Sequence, residues 1–279
     1  MTADNCFISP LNGQELQWDK EKQALISADQ QESYPLQDGV YYLLPKSTLH
    51  TDEATFDYQD HYQKDAEIFD YFKAWEDPAA VHENQRLHEM ILTQAPAKVS
   101  RVLDVGCGSA WVARYFQDKE VAVFSMDISS VNPRKAVVLY PFDKHYGIHA
   151  DVFHLPFKTG TFDYIIASEI IEHVPDPAAF VRCLLPILAP GGKLVVTTPH
   201  DEKRAYSLCI HCNQPTPHHA HLHSFTAESI RELLPANVRP AATTTTFMNK
   251  LLLHGRTHPL LSKFGFGLWK WVDKLANLL

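Results

Sequence analysis

Short apolar runs separated by turn formers open the chain: LQW, ALIS and VYYLLP alternate with Asn12-Gly13 and Asp38-Gly39, which predicts a few small strands and hairpins over residues 1–47. A segment of that size cannot enclose a core unaided. Over 56–95 the period changes, with Ile68, Phe69, Phe72 and Trp75, then Leu87, Met90 and Ile91, at helical intervals that predict two helices. From Val99 short β-branched runs alternate with helical stretches: VSRVLDV, WVARYF, VAVFSM, a segment opened by Pro133, YGIHA, FDYIIA, AAFVRCLL and KLVVTT. Such alternation predicts an α/β fold, a doubly wound and mostly parallel sheet covered on both faces, with a small β-rich N-terminal module. Beyond Thr198 the rhythm breaks into a histidine-rich loop to His223, a helix over about 227–234, a strand ending near Phe247 and a helical tail. The expected division is 1–50 for the N-terminal module, 51–98 for a helical cap, 99–250 for the main domain with an insertion at 200–223, and 251–279 for the tail.

Composition narrows the function classes. With 279 residues, 45% of them hydrophobic, the chain can bury one substantial core and an accessory unit. A net charge of -8 and the lack of any Lys/Arg run argue against nucleic acid as the main partner, because a phosphate backbone demands a concentrated basic surface. No basic-then-apolar leader and no stretch of about 18 apolar residues is visible, so a cytoplasmic protein is expected. The 5 cysteines are scattered apart from Cys209 and Cys212, a usage that fits a reducing compartment.

VLDVGCGSA, residues 102–110, carries the first candidate chemistry. A strand ending at Asp104 runs into a turn of Gly106, Cys107 and Gly108, and a helix opening at about Ser109 points its free N–H groups at the same crevice. The next strand ends at Asp127, 23 residues after Asp104 and followed by Ile128, where a carboxylate can accept both hydroxyls of a ribose. A third strand ends at Asp151, placed to accept from an adenine amino group with Val152 against the ring. LDVGCGSA, MDIS, HADVFHLPFKTGTFDYIIASEIIEHVPDP and LAPGGKLVVTTP resemble, over about 56–240, the successive motifs of class I S-adenosylmethionine-dependent methyltransferases. The resemblance implies a Rossmann-like sheet and S-adenosylmethionine as cofactor. It places the Gly106–Gly108 turn on the methionine part, Asp127 and Ile128 on the ribose, Asp151 and Val152 around the adenine, and Ser168 beside the methyl donor. Asp104 would position the amino end. Hydride-transferring relatives usually carry a full three-glycine loop, whereas Ala110 stands at the third position here. The family's seventh strand is not visible after Phe247.

SEIIEHVPDP, residues 168–177, places three titratable groups at the end of an apolar strand. If 169–173 form one helical turn, Glu169, Glu172 and His173 are spaced i, i+3 and i+4 and share a face. Two carboxylates and an imidazole suit a divalent ion such as Mg²⁺, Mn²⁺, Fe²⁺ or Zn²⁺, which would hold an acceptor hydroxyl and lower its pKa. Two other readings stay open: His173 as a general base without metal, and a plain helix N-terminus. The ExxEH pattern is similar to the metal motif of ubiquinone-pathway O-methyltransferases and of small-RNA 3′-end 2′-O-methyltransferases. That resemblance adds the histidine of HLHSFT, His221, as fourth ligand. The expected reaction is O-methylation of a small or lipid-like acceptor; an RNA-end methyltransferase and an inactive cofactor-binding scaffold or sensor are the alternatives.

Cys209-x-x-Cys212 with His218, His219, His221 and His223 offers a competing Cys₂His₂ zinc site, and His221 cannot serve both. The N-terminal segment resembles a degenerate zinc ribbon of small methyltransferase activators through Cys6 and YPLQDGVYYLLP; Ser9, Ser27 and Gln30 stand where cysteines are expected, so a docking element or dimer contact is implied rather than a metal site. In the tail FGFGLWKWVDKLANLL, the stripe of Leu268, Trp271, Val272, Leu275 and Leu279 predicts a helix docked on its own domain, while its Trp pair permits shallow membrane contact over 264–279 or an acceptor tunnel.

Overall fold

Runs such as RVLDV and FDYIIAS offer no polar face, and in a computed structural model, which describes residues 5–45, 57–208, 215–249, 252 and 255–278, they become central parallel strands. These are β5 (Arg101–Val105), β6 (Ala122–Asp127), β7 (His145–His149), β8 (Phe162–Ser168) and β9 (Leu188–Thr197), in spatial order β7-β6-β5-β8-β9. Val102, Leu103, Tyr164, Ile165 and Ile166 are fully buried because helices cover both faces. The expected α/β architecture is therefore present. Among the described residues, five α-helices precede the histidine-rich insertion: α1 (Tyr58–Ile68), α2 (Pro78–Leu92), α3 (Trp111–Phe116), α4 (Val131–Leu139) and α5 (Pro177–Leu184). Sequence explains their starts: Asp77 and Asp176 cap α2 and α5 by accepting from Ala79 and Ala179 N–H, each with proline in the first turn.

The N-terminal segment forms a meander of β1 (Leu16–Asp19), β2 (Ala24–Ser27), β3 (Ser33–Gln37) and β4 (Val40–Tyr42) that continues the same sheet, giving nine strands in order β1-β2-β3-β4-β7-β6-β5-β8-β9. β4 joins β7 in parallel, with Val40 opposite Gly147; a Cβ on Gly147 would come within 2.8 Å of the Val40 side chain. Phe7, 1% exposed, packs against Tyr41, Phe124 and Phe157 at ring-centroid distances of 4.9, 6.4 and 5.7 Å, so one core serves the meander and the central sheet. Around Glu32, the Ser9 hydroxyl donates at 2.5 Å, Tyr34 at 2.7 Å and Asn12 at 2.7 Å, while the Ser27 hydroxyl donates to Asp29 at 2.5 Å.

Past β9 the structure departs from several expectations. The insertion carries a two-stranded hairpin, β10 (Tyr206–Leu208) with β11 (Pro215–Pro217), before α6 (Ala227–Glu232). Residues 242–247 adopt no strand, and among the described residues no strand follows β11. Phe247 instead packs under the tail, against the cluster of Met90, Leu261 and Trp269. The tail comprises α7 (His258–Leu261) and α8 (Phe266–Ala276). The docked face only partly matches the expected stripe. Phe266, Trp269, Val272 and Asp273 face the domain, whereas Leu268, Trp271 and Leu275 point outward, and Leu279 lies outside the described residues. Two polar anchors add to this face: Asp273 accepts from the Met248 and Asn249 N–H groups at 3.1 and 2.8 Å, and Arg86 of α2 donates to the carbonyls of Leu261 and Phe264 at 3.0 and 2.7 Å.

Candidate functional site

β5 sits between β6 and β8, so successive connections leave it in opposite directions and a crevice opens at the carboxyl ends of these strands. Gly106 turns the chain there with φ +67°, and a Cβ would lie 2.2 Å from Ile170 Cδ1; only glycine fits. α3 starts at Trp111 rather than near Ser109, because Ala110 at its N-cap takes a left-handed conformation, φ 53°. Asp127 is locked in place. Its carboxylate accepts from Ser129 N–H at 2.9 Å, Asn132 Nδ2 at 3.1 Å and Gly108 N–H at 3.4 Å. Burial nevertheless raises its pKa. Asp104 lies deeper, with Oδ2 buried and unpartnered; burial, then the charge of Asp127, pushes its pKa well up. The Cys107 thiol is buried, and burial, then the charges of Asp127 and Asp104, pushes its pKa well up.

A cavity of about 610 Å³ spans this crevice. Gly106, Gly108, Asp127, Ile128, Asp151 and Val152 line one part, as the sequence predicts for a cofactor. The Asp151 carboxylate is already engaged within the protein: its Oδ2 accepts from the Tyr58 hydroxyl at 2.5 Å and Gln59 Nε2 at 3.2 Å and lies 3.3 Å from His154 Nδ1, and its Oδ1 accepts from Phe153 N–H at 3.0 Å. Ser168 and Asp104 are not in the cavity wall; the Ser168 hydroxyl pairs with Thr197 Oγ1 at 3.0 Å.

The other part of the wall includes Tyr62, Asp65, Glu169, His173, His219 and His221. Residues 169–173 are not one helical turn: Glu169 takes φ 55°, and a separate turn over 171–173 closes through His173 N–H to the Ile170 carbonyl at 3.0 Å. The side chains converge all the same. The Glu172 carbonyl accepts from Leu222 and His223 N–H at 2.8 and 3.1 Å, which fastens the histidine loop to the strand end and brings the His173 and His221 rings to 4.8 Å. One ligand atom from each of Glu172, His173 and His221 lies within 4.8 Å of the others. Glu169 stands outside that set, beside Thr197. Each imidazole is anchored through Nδ1, His173 to the Ala220 carbonyl at 3.3 Å and His221 to Glu202 at 2.5 Å, leaving Nε2 available. Glu172 Oε2 is buried without a partner. Burial, then Glu169, raises the pKa of Glu172; burial, then His221, lowers that of His173 to about 4. Cys209 and Cys212 lie outside the described residues.

Glu202 and the polar face of α1 escaped the sequence reading. Glu202 sits in a loop with no motif around it. The spacing of Tyr58, Tyr62 and Asp65, i, i+4 and i+7, was the signal that α1 turns one polar face to a site.

Comparison with known proteins follows the same residues. The family described as "Methyltransferase domain" matches residues 77–237. The ubiquinone biosynthesis O-methyltransferase of Ralstonia nicotianae is 32% identical over 152 residues, 49% of this chain and 60% of that protein. The chloroplastic tocopherol O-methyltransferase of Arabidopsis thaliana is 32% identical over 123 residues, 42% of this chain and 35% of that protein. The chain spans about half the length of the curated relatives it matches. Among solved structures, the S-adenosylmethionine-dependent methyltransferase of Mesorhizobium loti superposes with a TM-score of 0.45 at 18% identity, over 63% of this chain and 90% of that one.

Proposed function

The chain belongs to the methyltransferase-domain family, and from that premise we propose that it transfers a methyl group from S-adenosylmethionine to a hydroxyl oxygen of a small or lipid-like acceptor. The observation that carries the proposal is one shared cavity, which has Gly106, Gly108 and Asp127 in one wall and Glu169, His173 and His221 in another. Donor and acceptor sites that share a cavity can align a methyl group with a nucleophile, and alignment supplies much of the rate in such a displacement. Asp127, fixed by three donors, would receive the ribose hydroxyls. Asp104, buried and outside the cavity wall, would act on the amino end of the methionine only through the glycine turn or a water.

Glu172, His173 and His221 fit a divalent ion: one carboxylate and two imidazoles, each imidazole oriented through its far nitrogen, beside a buried carboxylate oxygen with no partner. An ion held there would lower the pKa of an acceptor hydroxyl. Glu202 would keep the His221 ring in register, and the Glu172 carbonyl would hold the histidine loop closed over the acceptor.

The test is chelation. EDTA should abolish methyl transfer, read on a panel of hydroxylated aromatic and lipid-like compounds, while calorimetric S-adenosylmethionine binding stays nearly intact; added divalent metal should restore turnover. Turnover that ignores EDTA but falls by roughly 10²- to 10⁴-fold in His173→Ala would overturn the metal and make His173 the base. Cofactor binding without turnover on any acceptor class would overturn the enzyme itself.

A further inference from the structure

The outward side of α8 carries Leu268, Trp271 and Leu275, with Leu278 just past its end, spaced by three and four residues and exposed by 52, 60, 44 and 75%. Opposite them, Trp269 and Asp273 are 2 and 3% exposed. The helix thus docks through Phe266, Trp269, Val272 and Asp273 and carries a second apolar stripe on its outer side, where an ordinary surface helix is polar.

Charge identifies what covers the stripe. From Leu233 to Val272 the sequence has no Asp or Glu but includes Arg239, Lys250, Arg256, Lys263 and Lys270, with Lys274 following, in a chain whose net charge is -8. Asp273, the one carboxylate near the end, is buried on backbone N–H groups. Lys263, Lys270 and Lys274 are exposed, and among the described residues none of them is ion-paired. On a helical projection Lys270 and Lys274 border the stripe on one side. Lysine stems can lie along apolar surface while their ammonium groups reach a polar layer, and tryptophan favours the same boundary. An apolar stripe with a basic border complements an anionic lipid surface, and the acidic remainder of the chain would be repelled from it, which orients the molecule tail first. An antiparallel two-fold pairing of copies through this face would bring lysines toward lysines. No described helix is long and apolar enough to cross a membrane, so α8 would lie in the interface plane.

We propose that α8 docks the protein onto the surface of an anionic bilayer. The inference is independent of which acceptor is methylated. The full chain is to be sedimented with vesicles of phosphatidylcholine alone and of phosphatidylcholine with phosphatidylglycerol, at low and high salt. Binding is expected to the anionic vesicles only, weakened by salt. Trp271→Glu with Leu275→Glu, and separately Lys270→Glu with Lys274→Glu, should each lower partitioning about ten-fold or more without changing thermal stability or S-adenosylmethionine affinity, because these side chains are exposed. Absence of binding by folded protein, equal binding to neutral vesicles, or lysine variants that bind as well as the parent would each overturn the proposal. Concentration-dependent dimers in ultracentrifugation that vanish with Trp271→Glu would overturn it in favour of a second copy.

Discussion

Asp127 concentrates the electrostatics of the donor site in one side chain. Its carboxylate receives three protein donors and still borders the cavity, so its orientation is settled before a ligand arrives. Such pre-orientation makes charge, rather than shape, the property to test. Asp127→Asn keeps the shape, and it should weaken S-adenosylmethionine binding by roughly 1.5–3 kcal/mol, the value of a hydrogen bond to a charged group. Calorimetry on variant shown to melt like the parent is the check; unchanged affinity would remove Asp127 from the ribose role. Gly106 shows the same economy. Its positive φ and the 2.2 Å approach to Ile170 leave no room for any side chain, and two glycines in LDVGCGSA announced that constraint in the sequence. The role of Glu202 could not be announced in that way. It acts through His221, 19 residues away, and only the folded loop brings them together.

At the level of elements, polar latches rather than apolar packing hold α1 over the cavity. Ala66 is its one buried residue, while Tyr58 and Gln59 bind Asp151 and Gln63 accepts from Ser130 N–H at 2.9 Å. A helix held this way can lift at modest cost, which suits entry of a cofactor. The tail is held oppositely, by a buried charge. Arg86, 1% exposed, pairs with Glu89 at 2.7 Å, donates to two tail carbonyls and lies 5.2 Å from the Trp269 ring centroid. Arg86→Ala would strand Glu89 and both carbonyls, so urea unfolding should show a loss of about 3–5 kcal/mol; a loss under 1 kcal/mol would mean the tail is held by its apolar contacts alone. Periodicity read α8 correctly as a helix and placed Val272 on the docked face, but it put Leu268, Trp271 and Leu275 there as well, which point outward. An apolar stripe predicts which residues share a face, but the buried partners here, Asp273 and Arg86, are polar groups whose satisfaction depends on backbone far along the chain. For the same reason the run before Phe247 promised a strand that the described fold does not contain: β-branched threonines favour extended backbone only where a sheet edge receives them.

Across the whole molecule, the alternation of strand and helix after Val99 was enough to foresee the central sheet, because parallel strands buried on both faces must be continuously apolar. That β4 would pair with β7 was not legible, since no local pattern records a partner about a hundred residues away. The junction also holds a pH-sensitive group. His145, at the start of β7, bonds the Tyr140 carbonyl through Nδ1 at 2.8 Å and Ser125 Oγ through Nε2 at 2.9 Å, and burial pushes its pKa down to about 4 from an ordinary 6.5. The unfolded chain therefore takes up a proton near pH 6.5 that the folded one refuses until about pH 4. Stability from the neutral ring is complete above 6.5 and is lost as pH falls toward 4. Between pH 7 and 5 this ring should contribute about 2 kcal/mol of the loss, beside the shares of His88 and His173, which burial also lowers to about 4, and His145→Asn should reduce the slope in urea unfolding by its own share; an unchanged slope would clear His145 of any part in it. The pairing of β4 with β7 has a further consequence for biosynthesis. At roughly 5–20 residues per second, Val40 leaves the ribosome about 5–20 s before Gly147, its partner. During that interval Phe7 still lacks Phe157 and β4 has an open edge, so the first strands to be made are among the last to settle, and the nascent chain is most exposed to misassociation while the middle third is still being synthesised.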